Sequence, residues 1–193
     1  QGTVKRKILV IEDDPVCAKA IDISLGQQFQ LIAAPTLEEA KKRISEHSFD
    51  LVILDLELPD GDGLTFLSMK KSYLDLSIPI IICTSRSTID DQIIGITLGA
   101  FDYTVKPIMP KLLLAKVNNI LKIQKHFVKE NKISELDNLS IDFNKYKVYR
   151  KNHETGRSEE VSLTPVEFKL LSLFSKSAET VSYTHLTLPT TTI

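Results

Sequence analysis

Five polar side chains each close an apolar run. Glu12 and Asp13 follow Lys7-Ile8-Leu9-Val10-Ile11, Asp55 follows Leu51-Val52-Ile53-Leu54, Thr84 ends the run that starts at Ile80, and Lys106 follows Asp102 to Val105. Brought to one place, the three carboxylates would repel, each raising the others' pKa unless a cation is present. A divalent metal resolves that repulsion. Ligands that are all oxygen, with no His and no Cys, point to Mg²⁺, which keeps several waters and pairs a few carboxylates with a phosphoryl oxygen. Lys106 would add a point positive charge and Thr84 a hydroxyl donor, both of which a bound phosphoryl group wants. An aspartate can itself accept a phosphoryl group as an acyl-phosphate.

Whether the five meet depends on the elements that carry them. Short runs of consecutive apolar residues read as strands buried on both faces, and such strands belong to parallel sheets covered by helices. Pro15 opens a helix with Cys17, Ile21 and Leu25 on one face, ending near Gly26. Phe29 to Ala33 reads as the second strand. Thr36-Leu37-Glu38-Glu39 has the form of a capping box, with Leu37, Ala40 and Ile44 on the buried face of its helix. Leu64, Phe66 and Leu67 mark a third helix to about Ser72, and Pro79 introduces the fourth strand. Ser87 to Leu98 reads as a fourth helix with Ile89, Ile93, Ile94 and Ile96 on its apolar side, closed by Gly99. Pro110 opens a long helix carrying Leu113, Val117, Ile120, Leu121 and Ile123, whose polar continuation to about Lys129 looks like a linker. Five strands alternating with five helices predict a doubly wound α/β domain, with the carboxyl ends of its strands at one edge.

Taken singly, Asp55 is equally the first polar residue of a loop, Thr84 a hydroxyl satisfied by backbone, and Lys106 a solvated surface charge. Convergence at one sheet edge is what makes them a set. Asp14, Asp60 and Asp62 read as solvated loop acids, Asp14 lying close enough to share water ligands. His47, His126, His153 and His185 are not spaced for a metal.

The 193 residues are 42% hydrophobic and 25% charged, ordinary for a globular chain with one good core and a second small unit. Twenty-four Lys+Arg against twenty-five Asp+Glu leave a net charge of −1 and no basic cluster of the kind nucleic-acid binding needs. No run approaches a membrane span. Cys17 and Cys83 sit in apolar patterns, so reduced core thiols and a cytoplasmic location are expected. The chain begins at Gln1 rather than methionine, which fits an incomplete reading frame or a trimmed start.

Glu12-Asp13, Asp55 ahead of Leu58-Pro59-Asp60-Gly61, Thr84, Gly99-Ala100, Tyr103 and Lys106-Pro107 give residues 4–125 a resemblance to the receiver domain of two-component response regulators. The resemblance implies a flavodoxin-like (CheY-like) five-stranded sheet in the order 2-1-3-4-5. It implies that Asp55 accepts a phosphoryl group from a sensor histidine kinase. Asp13 would bind Mg²⁺ directly, Glu12 mainly through water, and the Glu57 backbone carbonyl would be a further ligand. Lys106 would pair with a phosphoryl oxygen and Thr84 would move to hydrogen-bond it. Tyr103, by itself an edge aromatic, would then turn inward. Lys106-Pro107 would be a cis peptide. The surface of the fourth helix, fifth strand and fifth helix would be bistable and drive a homodimer, although its usual charges are only partly present: Lys116 stands where an arginine is common and Lys111 where an acid is common. Apart from the resemblance, Glu57 and Arg86 each lie two residues past a site residue, Asp55 and Thr84. They are expected to form an ion pair that shields the acyl-phosphate from water.

Residues 139–142, 147–149 and 160–163 read as short strands between polar turns. Thr164-Pro165-Val166-Glu167 then forms a second capping box, and Val166, Leu170, Leu173 and Phe174 give its helix an apolar stripe to about Lys176. Together with Leu163-Thr164-Pro165-Val166-Glu167-Phe168-Lys169-Leu170-Leu171, this order resembles the start of the winged-helix output domain of OmpR/PhoB-type transcription regulators. The layout expected is a receiver over 4–125, a linker over 126–136, a truncated α+β winged-helix part over 137–180 and a non-native tail over 181–193. That tail has no helical period and resembles the translation of a sequencing-library adapter. A recognition helix and basic wing would lie after the helix that ends near Lys176, where this tail stands instead, so DNA binding is expected of the full-length parent only, and 137–180 is expected to be weakly stable alone.

The function expected is that of a response regulator, not an enzyme beyond its own phosphorylation and dephosphorylation. One rival is a receiver that acts as an adaptor or phosphorelay carrier. The other is an aspartyl-phosphate phosphatase of the haloacid dehalogenase type, which wants a second aspartate where this chain has Glu57 and places its other acids after the nucleophile.

Overall fold

Leu51–Leu54, buried at every position, is the middle strand of the sheet in the computed structural model. The structure describes residues 5–75, 77–129, 133–136, 138–142, 145, 147–152 and 154–182. They fall into two units, Gln1–Glu130 and Asn131–Ile193. The first unit begins with β1 (Lys7–Ile11), α1 (Pro15–Leu25), β2 (Gln30–Ala34), α2 (Leu37–Glu46) and β3 (Leu51–Leu54). A small hairpin of β4 (Glu57–Leu58) and β5 (Gly61–Asp62) follows, then α3 (Gly63–Ser68), β6 (Ile80–Thr84), α4 (Ile89–Thr97), β7 (Asp102–Val105) and α5 (Pro110–Lys129). The five long strands pair in the order β2-β1-β3-β6-β7, all parallel, which is the flavodoxin-like, doubly wound arrangement expected.

Why these strands had to be apolar throughout is visible in their alternation. Leu9, Ile11, Val52, Leu54, Ile80 and Ile82 face one core, shared with Ala40 of α2 and Phe66 and Leu67 of α3. Ile8, Val10, Leu51, Ile53, Ile81 and Cys83 face the other, against Ile21 and Leu25 of α1 and Leu113, Val117, Ile120 and Leu121 of α5. Successive side chains point to opposite faces, so a strand covered on both sides has no polar position to spare.

Three local expectations change. The hairpin β4–β5 is an addition that a run of loop residues did not announce. The third helix is shorter than expected, ending at Ser68 and continuing as a 3₁₀ turn, Lys70–Ser72. On α4, Ile89 and Ile93 are 74% and 58% exposed and Ile94 is exposed too, while Gly95 is buried and Ile96 packs on the core. With isoleucine on two stripes of one helix, periodicity could not decide which faces inward; the side with the glycine can approach the sheet more closely.

The second unit is an antiparallel sheet in the order β11-β10-β9-β8, from β8 (Ile133–Leu136), β9 (Leu139–Asp142), β10 (Lys147–Lys151) and β11 (Ser158–Val161), followed by α6 (Pro165–Ser182). The stretch expected as a linker therefore holds the end of α5 and the strand β8. Ile141 and Val148 pair across β9 and β10 and are fully buried. The Thr164 capping box is complete: Glu167 Oε2 accepts the Thr164 N–H at 2.8 Å and Thr164 Oγ1 accepts the Glu167 N–H at 3.3 Å. The buried face of α6 carries Phe168, Ser172 and Ser175, whereas Leu170 and Phe174 are exposed, contrary to the expected stripe. The Leu173 side chain lies outside the described residues, as do residues 183–193 of the expected tail; Val181 and Ser182 belong to α6. No described helix is long and apolar enough to cross a membrane.

Candidate phosphoryl and metal site

Register brings the strand ends together. Ile11 pairs with Leu54, Leu54 with Ile82, and Thr84 with Val105, so the residues just past them line one edge. Backbone bonds carry the alignment one step beyond the strands: Asp55 N–H to Ile11 carbonyl at 2.9 Å and Lys106 N–H to Thr84 carbonyl at 2.8 Å. The Lys106-Pro107 peptide is cis.

At that edge, carboxylate oxygens of Glu12, Asp13 and Asp55 lie within 4.8 Å of one another. Glu12 and Asp55 are only 5% and 3% exposed; Asp13 is open to water. Lys106 Nζ sits 2.6 Å from Glu12 Oε2 and 3.0 Å from Asp55 Oδ2. The second oxygen of each carboxylate is held by backbone: Glu12 Oε1 accepts the Asp14 N–H at 3.0 Å and Asp55 Oδ1 accepts the Glu57 N–H at 3.2 Å. Burial pushes the Glu12 carboxyl above its usual range, Lys106 and the Asp14 N–H only partly opposing it. For Lys106, burial acts downward but the Glu12 and Asp55 carboxylates outweigh it, holding the ammonium above the ordinary lysine value. Three carboxylates against one ammonium leave the pocket with unbalanced negative charge. Glu12 Oε2 meets Lys106 as an ion pair and has no aligned hydrogen-bond donor. An all-oxygen, net-negative, partly buried donor set fits a hard divalent cation of the Mg²⁺ kind.

Thr84 is fully buried, and its hydroxyl oxygen accepts the Arg86 N–H at 3.4 Å. Tyr103 points inward: it is buried, and its hydroxyl donates to the Arg86 carbonyl at 2.9 Å. The expected Glu57–Arg86 pair does not form. Arg86 instead bridges Asp62, at 3.0 Å, and Asp91, while Glu57 is exposed. The hairpin accounts for this, because it returns Asp62 beside Glu57 in β4–β5 pairing and offers Arg86 a different carboxylate.

The loop acids are not merely solvated. Asp14 caps α1 through the Val16 N–H and accepts from Cys17 Sγ at 3.3 Å. Asp62 caps α3 through the Leu64 N–H, and Asp60 accepts the Leu37 and Glu38 N–H groups at the start of α2. An acid just before a helical run signals Asp14 and Asp62, and Thr88-Ile89-Asp90-Asp91 has the capping-box form that places Asp91. No local signal could have joined Asp60 to α2. Both cysteines are free, and burial pushes the Cys83 thiol up to about 12.

Comparison with known proteins agrees with this geometry. Residues 8–118 match the response regulator receiver domain. The chain is 34% identical over 179 residues to the phosphate regulon transcriptional regulatory protein PhoB of Klebsiella pneumoniae, covering 91% of this chain and 75% of that protein. It is 34% identical over 169 residues to the transcriptional regulatory protein PmrA of Pectobacterium parmentieri, covering 86% and 71%. Among solved structures, the BeF3-activated receiver domain of Klebsiella pneumoniae RstA matches with a TM-score of 0.56 at 31% identity, covering 61% of this chain and 99% of its own length. With a receiver domain over the first unit and transcriptional regulators similar across most of its length, the chain belongs to the two-component response regulators of the OmpR/PhoB type.

Proposed function

We propose that Asp55 accepts a phosphoryl group from a phosphohistidine on a sensor histidine kinase, in a Mg²⁺-dependent reaction that controls a transcription-regulating output unit. The observation that carries this reading is Asp55, buried at the end of β3, with Lys106 on one oxygen and Glu12 and Asp13 beside it. An Asp55 oxygen attacks phosphorus, the phosphorus–nitrogen bond of the donor breaks, and the electron pair leaves with the imidazole. Lys106 neutralises charge on the phosphoryl oxygens and Thr84 donates its hydroxyl to one of them. Glu12, Asp13, Asp55 and the Glu57 carbonyl would hold the metal, which supplies further charge neutralisation when bound.

The names of the relatives support assigning the second unit to transcription regulation, and hence DNA as the partner of the output domain. Among the described residues of that unit α6 is the one helix. A face formed by α4, β7 and α5 is proposed as the homodimer surface.

The test is incubation with Mg²⁺ and a small phosphodonor, read by intact mass. A gain of one phosphoryl group that requires Mg²⁺ and is lost in Asp55→Asn supports the reading. Rapid turnover of the donor without a stable adduct would favour a phosphatase instead.

A further inference from the structure

Arg86 touches four separate parts of the receiver. Its guanidinium bonds Asp62, which caps α3 on the segment following Asp55, and Asp91, in the first turn of α4. Asp91 is also fixed by Thr88, whose hydroxyl donates to it at 2.8 Å and accepts its N–H at 3.1 Å. The backbone of the same arginine lies between the two switch residues: its N–H is on the Thr84 hydroxyl, and its carbonyl receives the Tyr103 hydroxyl. A carbonyl on a short turn anchors a tyrosine only as well as the turn itself is fixed. Here a planar guanidinium bridging two carboxylates on two elements fixes it, which a lysine's single ammonium could not reproduce.

We propose that Arg86 is the positioning residue of the switch: held between Asp62 and Asp91, it keeps the segment after Thr84 in place and so holds Tyr103 inward. Movement of the loop after Asp55 then reaches α4 through one side chain. The pairs are partly exposed, so the clamp biases an equilibrium rather than locking it. The coupling to phosphorylation rests on the phospho-acceptor reading; the hold on Tyr103 does not.

The experiment uses the full chain labelled with 3-fluorotyrosine, which gives one fluorine signal for each of its 5 tyrosines. Tyr103 is assigned by Tyr103→Phe. Without any phosphodonor, the Tyr103 signal is expected to shift in Arg86→Ala, Arg86→Lys and Asp91→Asn. It should stay in place in Arg43→Ala, which removes an arginine that bridges Glu39 and Glu46 on α2. With Mg²⁺ and beryllofluoride as the phosphoryl analogue, the three shifted variants should bind the analogue more weakly by roughly five-fold or more. An unmoved Tyr103 signal in both Arg86→Ala and Asp91→Asn overturns the proposal, and so does a moved signal with unchanged beryllofluoride affinity. If the unmutated chain and Asp55→Asn respond alike to beryllofluoride, the phospho-acceptor reading fails, and the Tyr103 signal decides the positioning role alone.

Discussion

Lys106 Nζ lies nearer to Glu12 than to Asp55, 2.6 Å against 3.0 Å, so one ammonium holds two buried carboxylates apart from each other's full repulsion. Lys106→Met should leave both without a counter-charge and destabilise the receiver by about 3 kcal/mol at neutral pH, as expected when one partner of a buried pair is removed. The Glu12 carboxyl is already raised by burial. A raised acid is protonated more readily in the folded than in the unfolded state, so its charge costs stability above the raised value and costs nothing below the ordinary one. The defect of Lys106→Met should therefore shrink as pH falls through the window above the ordinary glutamate value, and millimolar Mg²⁺ should also reduce it. Denaturant melts at a series of pH values check this; a defect independent of both pH and Mg²⁺ would contradict it.

Gly63 opens α3 directly against the acceptor strand. A Cβ there would lie 2.5 Å from the Asp55 carbonyl oxygen and 2.8 Å from Leu56 Cα, both backbone atoms that cannot step aside. Gly63→Ala should cost about 2 kcal/mol by overpacking and displace the Asp55 loop. Urea melts should show the loss, and beryllofluoride binding should weaken beyond what stability alone explains. Wild-type binding in a destabilised variant would mean that the loop does not depend on this close approach.

How far the sequence speaks follows from which partners are local. The strand ends were legible because continuous apolar runs admit one sheet type, and parallel register then puts Glu12, Asp55, Thr84 and Lys106 on one edge. Arg86 was placed near the site by the same logic, yet its partners were not, because Asp62 and Asp91 lie on elements whose approach is set by tertiary packing. Asp60 shows the same over a similar separation, accepting N–H groups at the start of α2 from the turn after β4. The rotation of α4 was hidden by isoleucines at neighbouring stripes, and that of α6 by leucines and phenylalanines doing the same.

The exposed isoleucines of α4 have a counterpart near α5, where Met109 and Leu112 are also exposed. Large apolar side chains left exposed on these two elements suit an interaction surface. Ile93→Lys should abolish the concentration-dependent association expected with Mg²⁺ and beryllofluoride while changing monomer stability by less than about 0.5 kcal/mol, as for a surface substitution. Sedimentation velocity reads the first and a thermal melt the second. Association unchanged in Ile93→Lys would remove this face as the dimer surface.

Gly95 separates packing from switching. A Cβ there would lie 2.7 Å from Ile82 Cδ1 and 3.1 Å from Tyr103 Cδ2. Both neighbours are side-chain atoms. Ile82 is fully buried in the sheet, whereas Tyr103 keeps 9% exposure and its ring is held by one hydroxyl bond to the Arg86 carbonyl. In Gly95→Ala the tyrosine should therefore be the group that yields. The helix gains back about 1 kcal/mol from replacing glycine with alanine, which offsets much of the strain, so stability should change little. Beryllofluoride affinity should nevertheless fall, and a crystal structure should show Tyr103 turned outward with its bond to the Arg86 carbonyl broken. If Tyr103 stays inward and Ile82 adjusts instead, the sheet is softer at this point than the tyrosine, and the inward position is held by more than the Arg86 carbonyl.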